Sequence, residues 1–517
     1  MPTSAPIKKP SWAQRLSGLH TWAGLIAGWL LFAIFFTGTL TVFDHEITRW
    51  MRYEIPLNAS DLAQSSHSAL SVLSERFPES SHWHVLLPSE RLGELAVVGS
   101  DGNLRTAFND RLNVNPADAS VYQRLDSLGG RFFFLFHFTL HIGGWWGICI
   151  VGFLGLLMLL GLLSGLVIHK KIFKDFFTFR PNKGQRSWLD GHNTSAVLLL
   201  PFLLVMTYSG INVFSQTYFP QAWLHANKVP APEPLHDDPL ASEPSKLLTP
   251  NPQHIAPLLQ QAEQRLGPLN SLEFNRQQAI LTVKPQLGNQ VALGHKETMR
   301  FDWRTGAVIQ EPPMHSAIER AQLVIMGLHF GQFGGYPLRW LYFFCGLLSS
   351  AMIASGLVMF TLKRRRNYAH SARWQPQGYR FIEATNIASI AGLFIACLGL
   401  LWINRLYPFD GTQRALYEMA GFFGLWALSW LHAGYRPVTR AWREQLLIAA
   451  VLCLSLPLWN VLFSTVVWGT ERQWIDLALL GFAAALWLIR RNVQVNDSSP
   501  RKAVKPHKAS MAESQAG

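Results

Sequence analysis

Charge is scarce in this sequence of 517 residues: only 15% are Asp, Glu, Lys or Arg, against roughly 25% in an average soluble domain. With 49% hydrophobic residues, that scarcity excludes a disordered chain and argues against an ordinary cytosolic enzyme. Cysteine is scarcer still. Cys149, Cys345, Cys397 and Cys453 all lie inside apolar runs and form no C-x-x-C pair, so no disulfide framework, iron–sulfur cluster or thiolate zinc site is expected. No G-x-G-x-x-G follows a strand pattern and there is no P-loop, so no nucleotide domain is expected. What the chain has instead is aromatic and long: 33 Phe, 20 Trp and a series of hydrophobic runs.

About 20 apolar residues suffice to cross a bilayer. Eight runs meet that length, at 18–43, 140–168, 193–214, 338–362, 382–403, 415–434, 445–467 and 475–489. The first is too long for a signal h-region and no small-x-small cleavage site follows it. Lys and Arg cluster in alternate connections: Lys8, Lys9 and Arg15 in the tail 1–17, Lys170 to Arg186 in the loop 169–190, Lys363 to Arg380 in the loop 363–381, then Arg436 to Arg443, then Arg490 and Arg491. All fall on one side if all eight runs cross, which the positive-inside rule makes the cytoplasm. Both termini then lie there, and the net charge of +13 is explained by topology, with no nucleic-acid partner. The tail 490–517 is polar and reads as disordered.

Two long segments, 44–136 and 215–336, face the other side. The first reads as a helix at 62–76 followed by strands at 84–88, 95–99 and 104–108. The second reads as a Pro-rich linker at 230–252, a helix at 254–266 and strands at 272–275, 279–284 and 299–303. Each is expected to form a small α+β unit. His82 and His84 share one strand face, which reads as a solvated strand rather than an iron contact.

The order of span, α+β unit and span occurs twice, and residues repeat with it. His20 precedes Thr37-Gly38 as His192 precedes Ser209-Gly210, with 18 residues from His to Gly in both. Leu140-His141-Ile142-Gly143 precedes Ser164-Gly165, and Leu328-His329-Phe330-Gly331 precedes Ser355-Gly356, with spacings of 24 and 27. A duplication of this kind commonly carries a pseudo-two-fold axis along the membrane normal. His20 and His192 are then expected to face each other near the cytoplasmic side, and His141 and His329 near the outer side.

Ionisable residues within spans mark functional sites. Two histidines facing across a helical bundle can ligate one haem iron axially, so two pairs point to two haems and to electron transfer across the membrane. The plain alternative is that the histidines meet polar needs at the interface. His137, one helical turn before His141 on the same face, is an alternative ligand or a hydrogen-bonding partner. His169, beside Lys170, is another alternative or a headgroup contact, and His432 has no mate. Ligands at the two ends of a span stand about 35 Å apart, a long gap between irons. The runs over 382–489 contain no readable motif, and Glu418 and Asn460 there read as polar glue between helices.

Leu19-His20-Thr21-Trp22-Ala23-Gly24-Leu25, Leu140-His141-Ile142-Gly143, Asp190-Gly191-His192-Asn193 and Leu328-His329-Phe330-Gly331 resemble the PepSY-associated transmembrane family. Asp302-Trp303-Arg304-Thr305-Gly306 resembles the strand and turn of a PepSY unit. The resemblance covers residues 10–365. It implies a bacterial inner-membrane protein of iron acquisition, with spans at 18–43, 137–168, 191–214 and 337–362 forming a four-helix core around two haem b. The fold expected is thus an all-α polytopic membrane protein of about eight helices with two small α+β PepSY-like periplasmic units. The activity implied is haem-dependent ferric-siderophore reduction; with no nucleotide domain expected, the electron donor comes from elsewhere, quinol or a cytoplasmic flavoprotein. His20, His192, His141 and His329 are the ligands expected, with Arg131 and Arg339 as propionate partners or headgroup anchors. Two other readings remain open: a non-catalytic membrane protein binding or regulating periplasmic proteins, and a transporter.

Overall fold

The computed structural model describes residues 11–55, 61–101, 111–168, 180, 184–220, 247–294, 297–368, 376–407, 413–463 and 470–493. His169, the expected strand at 104–108, most of the Pro-rich linker and the C-terminal tail lie outside them.

Helix α1 (Trp12–Thr41) begins at Ser11, whose hydroxyl accepts from the Gln14 amide while the Gln14 side chain accepts from the Ser11 amide. This reciprocal cap satisfies two of the orphan donors of the first turn. A short amphipathic helix α2 (Asp44–Met51) follows, then α3 (Leu62–Arg76) and strands β1 (His82–Leu86), β2 (Leu95–Ser100), β3 (Leu112–Val114) and β4 (Val121–Tyr122). The chain returns through α4 (Arg131–Thr139) and α5 (Trp145–Ile168). These two helices are not one span. Leu140 and His141 take left-handed backbone conformations, with φ of 52° and 53°, and the reversal at 140–144 leaves α4 as a separate helix against α1.

The second repeat opens with α6 (Gln185–Leu198) and α7 (Leu200–Val213), which together make a span bent by 67°. Pro201 sits at the start of α7. It lacks an N–H and its ring clashes with the carbonyl one turn back, so the helix breaks at Leu199. The first repeat has no such bend: α1 runs 30 residues unbroken. Helix α8 (Pro252–Leu266) and strands β5 (Leu269–Asn275), β6 (Ile280–Pro285), β7 (Met299–Asp302) and β8 (Val308–Gln310) come next, then α9 (Ala317–Phe330) and α10 (Gly335–Tyr368).

Two separate α+β units were expected; their strands form one eight-stranded antiparallel sheet, in the order β4-β3-β2-β1-β5-β6-β7-β8. The join is β1 with β5, in register from His82 opposite Asn275 to Leu86 opposite Ser271. Each four-stranded half would otherwise present an unpaired edge, and pairing the two halves satisfies both edges. Trp83, Val85, Leu272 and Phe274 alternate onto one face, where α3 and α8 cover them. Arg276 reinforces the join, donating to the Pro78 and Ser80 carbonyls and lying 4.1 Å over the Trp83 ring.

The remaining helices form an accessory unit. Helix α11 (Pro376–Ile387) passes through a π turn (Ala388–Gly392) into α12 (Leu393–Leu406), followed by α13 (Arg414–Tyr435), α14 (Val438–Phe463) and α15 (Thr470–Asn492). Aromatic contacts fasten it to the core: Phe36 to Phe394 at 4.6 Å and Phe132 to Phe422 at 4.8 Å between ring centroids. At the sheet side, the buried Glu418 carboxylate accepts from Ser127, the Leu128 amide and Asn404. Asp476 likewise accepts from Trp50 and Asn460. Six helices among the described residues are long and apolar enough to span a membrane, and seven if α6 and α7 count as one bent span. The run expected at 415–434 is helix α13, 22 residues long; the polar side chains it carries, Glu418 among them, keep it below that apolarity.

Candidate functional site

The histidines of the core are held by one device used four times. His20, on α1, donates from Nδ1 to the Gly161 carbonyl of α5 at 3.0 Å, and the Ser164 hydroxyl lies 3.1 Å from the same nitrogen. His192, on α6, donates from Nδ1 to the Met352 carbonyl of α10 at 3.0 Å, with Ser355 at 3.1 Å. Ser164 and Ser355 each donate to that same carbonyl, so their oxygens keep lone pairs for the imidazole. The two sites are copies, and each is built within its own repeat.

The outer pair follows the same rule with one change of residue. His329, on α9, donates from Nδ1 to the Met206 carbonyl of α7 at 3.1 Å, with Ser209 at 3.1 Å. Its counterpart is His137, on α4, which donates to the Ile34 carbonyl of α1 at 2.7 Å. Ile34 stands 14 residues after His20, and Met206 stands 14 after His192. The rings of His137 and His329 face each other with centroids 6.1 Å apart. The pairing expected of His141 with His329 is therefore corrected to His137. His141 sits in the left-handed turn after α4, its Nε2 3.1 Å from the Phe132 carbonyl and its ring stacked on Phe132 at 4.4 Å, facing the accessory unit through Phe423.

Every one of these imidazoles rests against a hydroxyl–glycine pair on the adjacent helix. His20 meets Ser164-Gly165, His192 meets Ser355-Gly356, His137 packs on Gly38, which follows Thr37, and His329 meets Ser209-Gly210. A Cβ at Gly38 would overlap the His137 ring, and one at Gly210 would come within 2.8 Å of His329. The sequence displays these pairs as landmarks of the repeat, but nothing local in them says that they seat the histidines.

The two arginines proposed as anion partners differ. Arg339 is buried and donates to the Gln332 carbonyl at 3.0 Å. Arg131 is exposed at the start of α4 and lies over the Phe134 ring at 5.0 Å. On the sheet, His82 and His84 do lie side by side, with ring centroids 6.5 Å apart. His84 is buried rather than solvated, and burial pushes its imidazole down to about 4. A small groove beside it carries Arg111, Glu273 and Lys284.

The donor chemistry is specific. A backbone carbonyl only accepts, so each Nδ1 carries the proton and each Nε2 keeps its lone pair, the tautomer that a metal-ligating imidazole needs. With metal–nitrogen bonds of about 2.0–2.1 Å on either side, two imidazoles on one metal have ring centres about 6 Å apart, which the outer pair matches. Among the described residues no three His, Cys, Asp or Glu side chains gather as a metal site. A haem, which brings nitrogens of its own, would need only such imidazoles from the protein; His137 and His329 are residues that would hold one, and it would supply one-electron transfer.

The sequence profile of the PepSY-associated TM region matches residues 17–364, the whole of both repeats. The chain belongs to the PepSY-associated transmembrane family. The match stops where the accessory unit begins, so α11 to α15 are an addition to the PepSY-associated core. Comparison with curated proteins gives no match.

Proposed function

We propose that this PepSY-associated protein is a di-haem b-type oxidoreductase of the bacterial inner membrane that reduces ferric siderophores in the periplasm. The observation that carries the reading is the fourfold Nδ1-to-carbonyl arrangement, which presents an Nε2 lone pair from His20, His192, His137 and His329. His20 and His192 are assigned to the inner haem, His137 and His329 to the outer. The 14 residues between levels correspond to about 21 Å along a straight helix, shorter than the gap expected from ligands at the two ends of a span.

Bound haem supplies one-electron transfer. The protein's own residues fix the imidazole tautomer, keep the sites apolar and place the sheet over the outer pair. Hard Fe(III) is gripped by oxygen chelators and Fe(II) more weakly, so an electron delivered beside the sheet releases the metal. The Lys and Arg asymmetry supports cytoplasmic termini and a periplasmic sheet. The electron donor of this reading is quinol or a cytoplasmic flavoprotein.

The test is spectroscopic, then kinetic. Purified protein is expected to show a Soret band, split α and β bands on reduction and about two haems per chain. Reduced protein is expected to be reoxidised by a ferric siderophore with Fe(II) trapped by a chelator. Reporter fusions at residues 90 and 280 are both expected to read periplasm. Reoxidation by dioxygen but by no ferric chelate would leave a cytochrome with another acceptor.

A further inference from the structure

A cavity of about 460 Å³ lies between the PepSY-associated core and the accessory unit, within the usual range of small-molecule sites. Its floor is Phe36 and Leu40 of α1 and Phe133 of α4; its roof is Cys397 of α12, Cys453 of α14 and Phe482 of α15. Cys453 lies ten residues from the sheet-side end of α14 and Phe482 twelve from that of α15, so the cavity reaches about 15–18 Å into the membrane from that side. Charged and hydroxyl-bearing side chains line it, among the described residues, at the sheet-side end, where α2 brings Glu46 and Arg49 and α10 brings Tyr336. The Tyr336 hydroxyl donates to Glu46 Oε1 at 3.1 Å, and Arg91 holds the same carboxylate at 2.6–2.8 Å. Glu46 is buried, at 9% exposure.

We propose that this cavity is the binding site of an isoprenoid quinol, with its ring at Glu46 and Tyr336 and its tail among the aromatic side chains. The proposal rests on the redox reading above and names the donor within it. Three features select this ligand class. The walls are apolar and aromatic, and the site lies at membrane depth, so the ligand is lipid-soluble and flat rings are favoured. The polar end offers a carboxylate and a phenol hydroxyl hydrogen-bonded to it, which suit a head group that donates O–H. The position is also right: Gly38 turns toward His137 while Phe36 and Leu40, on the opposite face of α1, line the cavity, so a single helix of about 10 Å diameter separates cavity and imidazole.

Oxidation of a quinol breaks two O–H bonds and yields a quinone, two protons and two electrons. The electrons match the two one-electron centres proposed, and both protons leave to water on the sheet side, where the polar end of the cavity lies. A donor bound here needs no cytoplasmic flavoprotein.

The experiment uses full-length protein purified in mild detergent. Solvent extraction and chromatography are expected to return about one quinone per chain, and a quinone carrying an azide on its ring is expected to label the peptides of Glu46 and Tyr336, with the label competed away by a short-chain quinone. Ala478→Trp, which fills the wall, is expected to cut co-purified quinone at least fivefold; Tyr336→Phe and Glu46→Gln are expected to weaken quinone binding about tenfold. Labelling of the wild type needs no variant to fold. Absence of quinone together with no competable label, or recovery of phospholipid alone from the cavity, overturns the proposal. Haem is counted separately on the same samples: haem without quinone defeats the quinol site only, and quinone without haem upholds the site and defeats the di-haem reading.

Discussion

His137 and His329 face each other across the core with ring centroids 6.1 Å apart and ring planes inclined by 32°, each pinned through Nδ1 to a carbonyl of its own repeat. In this PepSY-associated core the pair joins two helices, α4 and α9, that contribute nothing else ionisable at that depth. Its spacing to the later glycine is also the better match to the repeat. His137 lies 28 residues before Gly165, and His329 lies 27 before Gly356, against 24 for His141.

The first prediction follows from that pair. His137→Ala and His329→Ala are each expected to remove the same haem, halving the haem-to-protein ratio, while His141→Ala leaves it near two. His20→Ala and His192→Ala are expected to remove the other. Haem counting by absorbance after extraction checks this; full haem retention in His137→Ala with loss in His141→Ala would reverse the assignment.

The hydroxyl–glycine seats can be tested apart from the ligands. Ser164→Ala and Ser355→Ala remove one partner of the inner imidazoles and leave Nε2 untouched. Loss of such an outer partner typically costs about 10–100-fold in metal affinity, read here as faster haem loss to an apo-globin scavenger. Gly38→Val is expected to expel the outer haem outright, because a Cβ at that position overlaps the His137 ring.

Glu418 ties the accessory unit to the segment before α4 through Ser127 and Leu128. Glu418→Ala removes the carboxylate 3.6 Å from the fully buried Arg414, which keeps its bond to the Asn404 carbonyl. Breaking a buried pair in this way typically costs about 3–5 kcal/mol. A clear drop in the melting temperature in detergent is expected, with Glu418→Gln intermediate because it keeps the hydrogen bonds to Ser127.

The sheet carries a pH signature. Burial, outweighing the nearby Glu273, holds His84 at about 4 against an ordinary 6.5. Between those values the unfolded imidazole binds a proton that the folded one refuses, so the unfolded state holds more protons and stability rises with pH across the window. Acidification from about 6.5 to 4 is therefore expected to destabilise the sheet, with hydrogen exchange at the amides of β1 reporting the unfolding. His84→Gln is expected to flatten that dependence; an unchanged slope would assign it to other groups.

The apolar runs, the duplication and the histidines of the core were legible in the sequence because their signals are local. A 20-residue apolar run declares itself, the 18-residue step from His to Gly recurs unchanged, and the strand near 95–99 shows as a short β-branched apolar run and that near 279–284 by its alternation, neither needing a partner to be seen. Three things were decided only by the tertiary structure. Whether His137 or His141 meets His329 depends on the left-handed turn at Leu140 and His141, which breaks a run that reads as one continuous helix; Gly143 and Gly144, the latter at φ 66°, permit a turn there, but which histidine it leaves against α1 is set by the packing of α4. The two α+β units become one sheet because β1 and β5 are edges that pair across more than 180 residues of chain, and strand patterning does not name a distant partner. The Glu46–Tyr336 end of the cavity joins α2 of the first repeat to α10 of the second, 290 residues apart, so its chemistry exists only once the two repeats pack together.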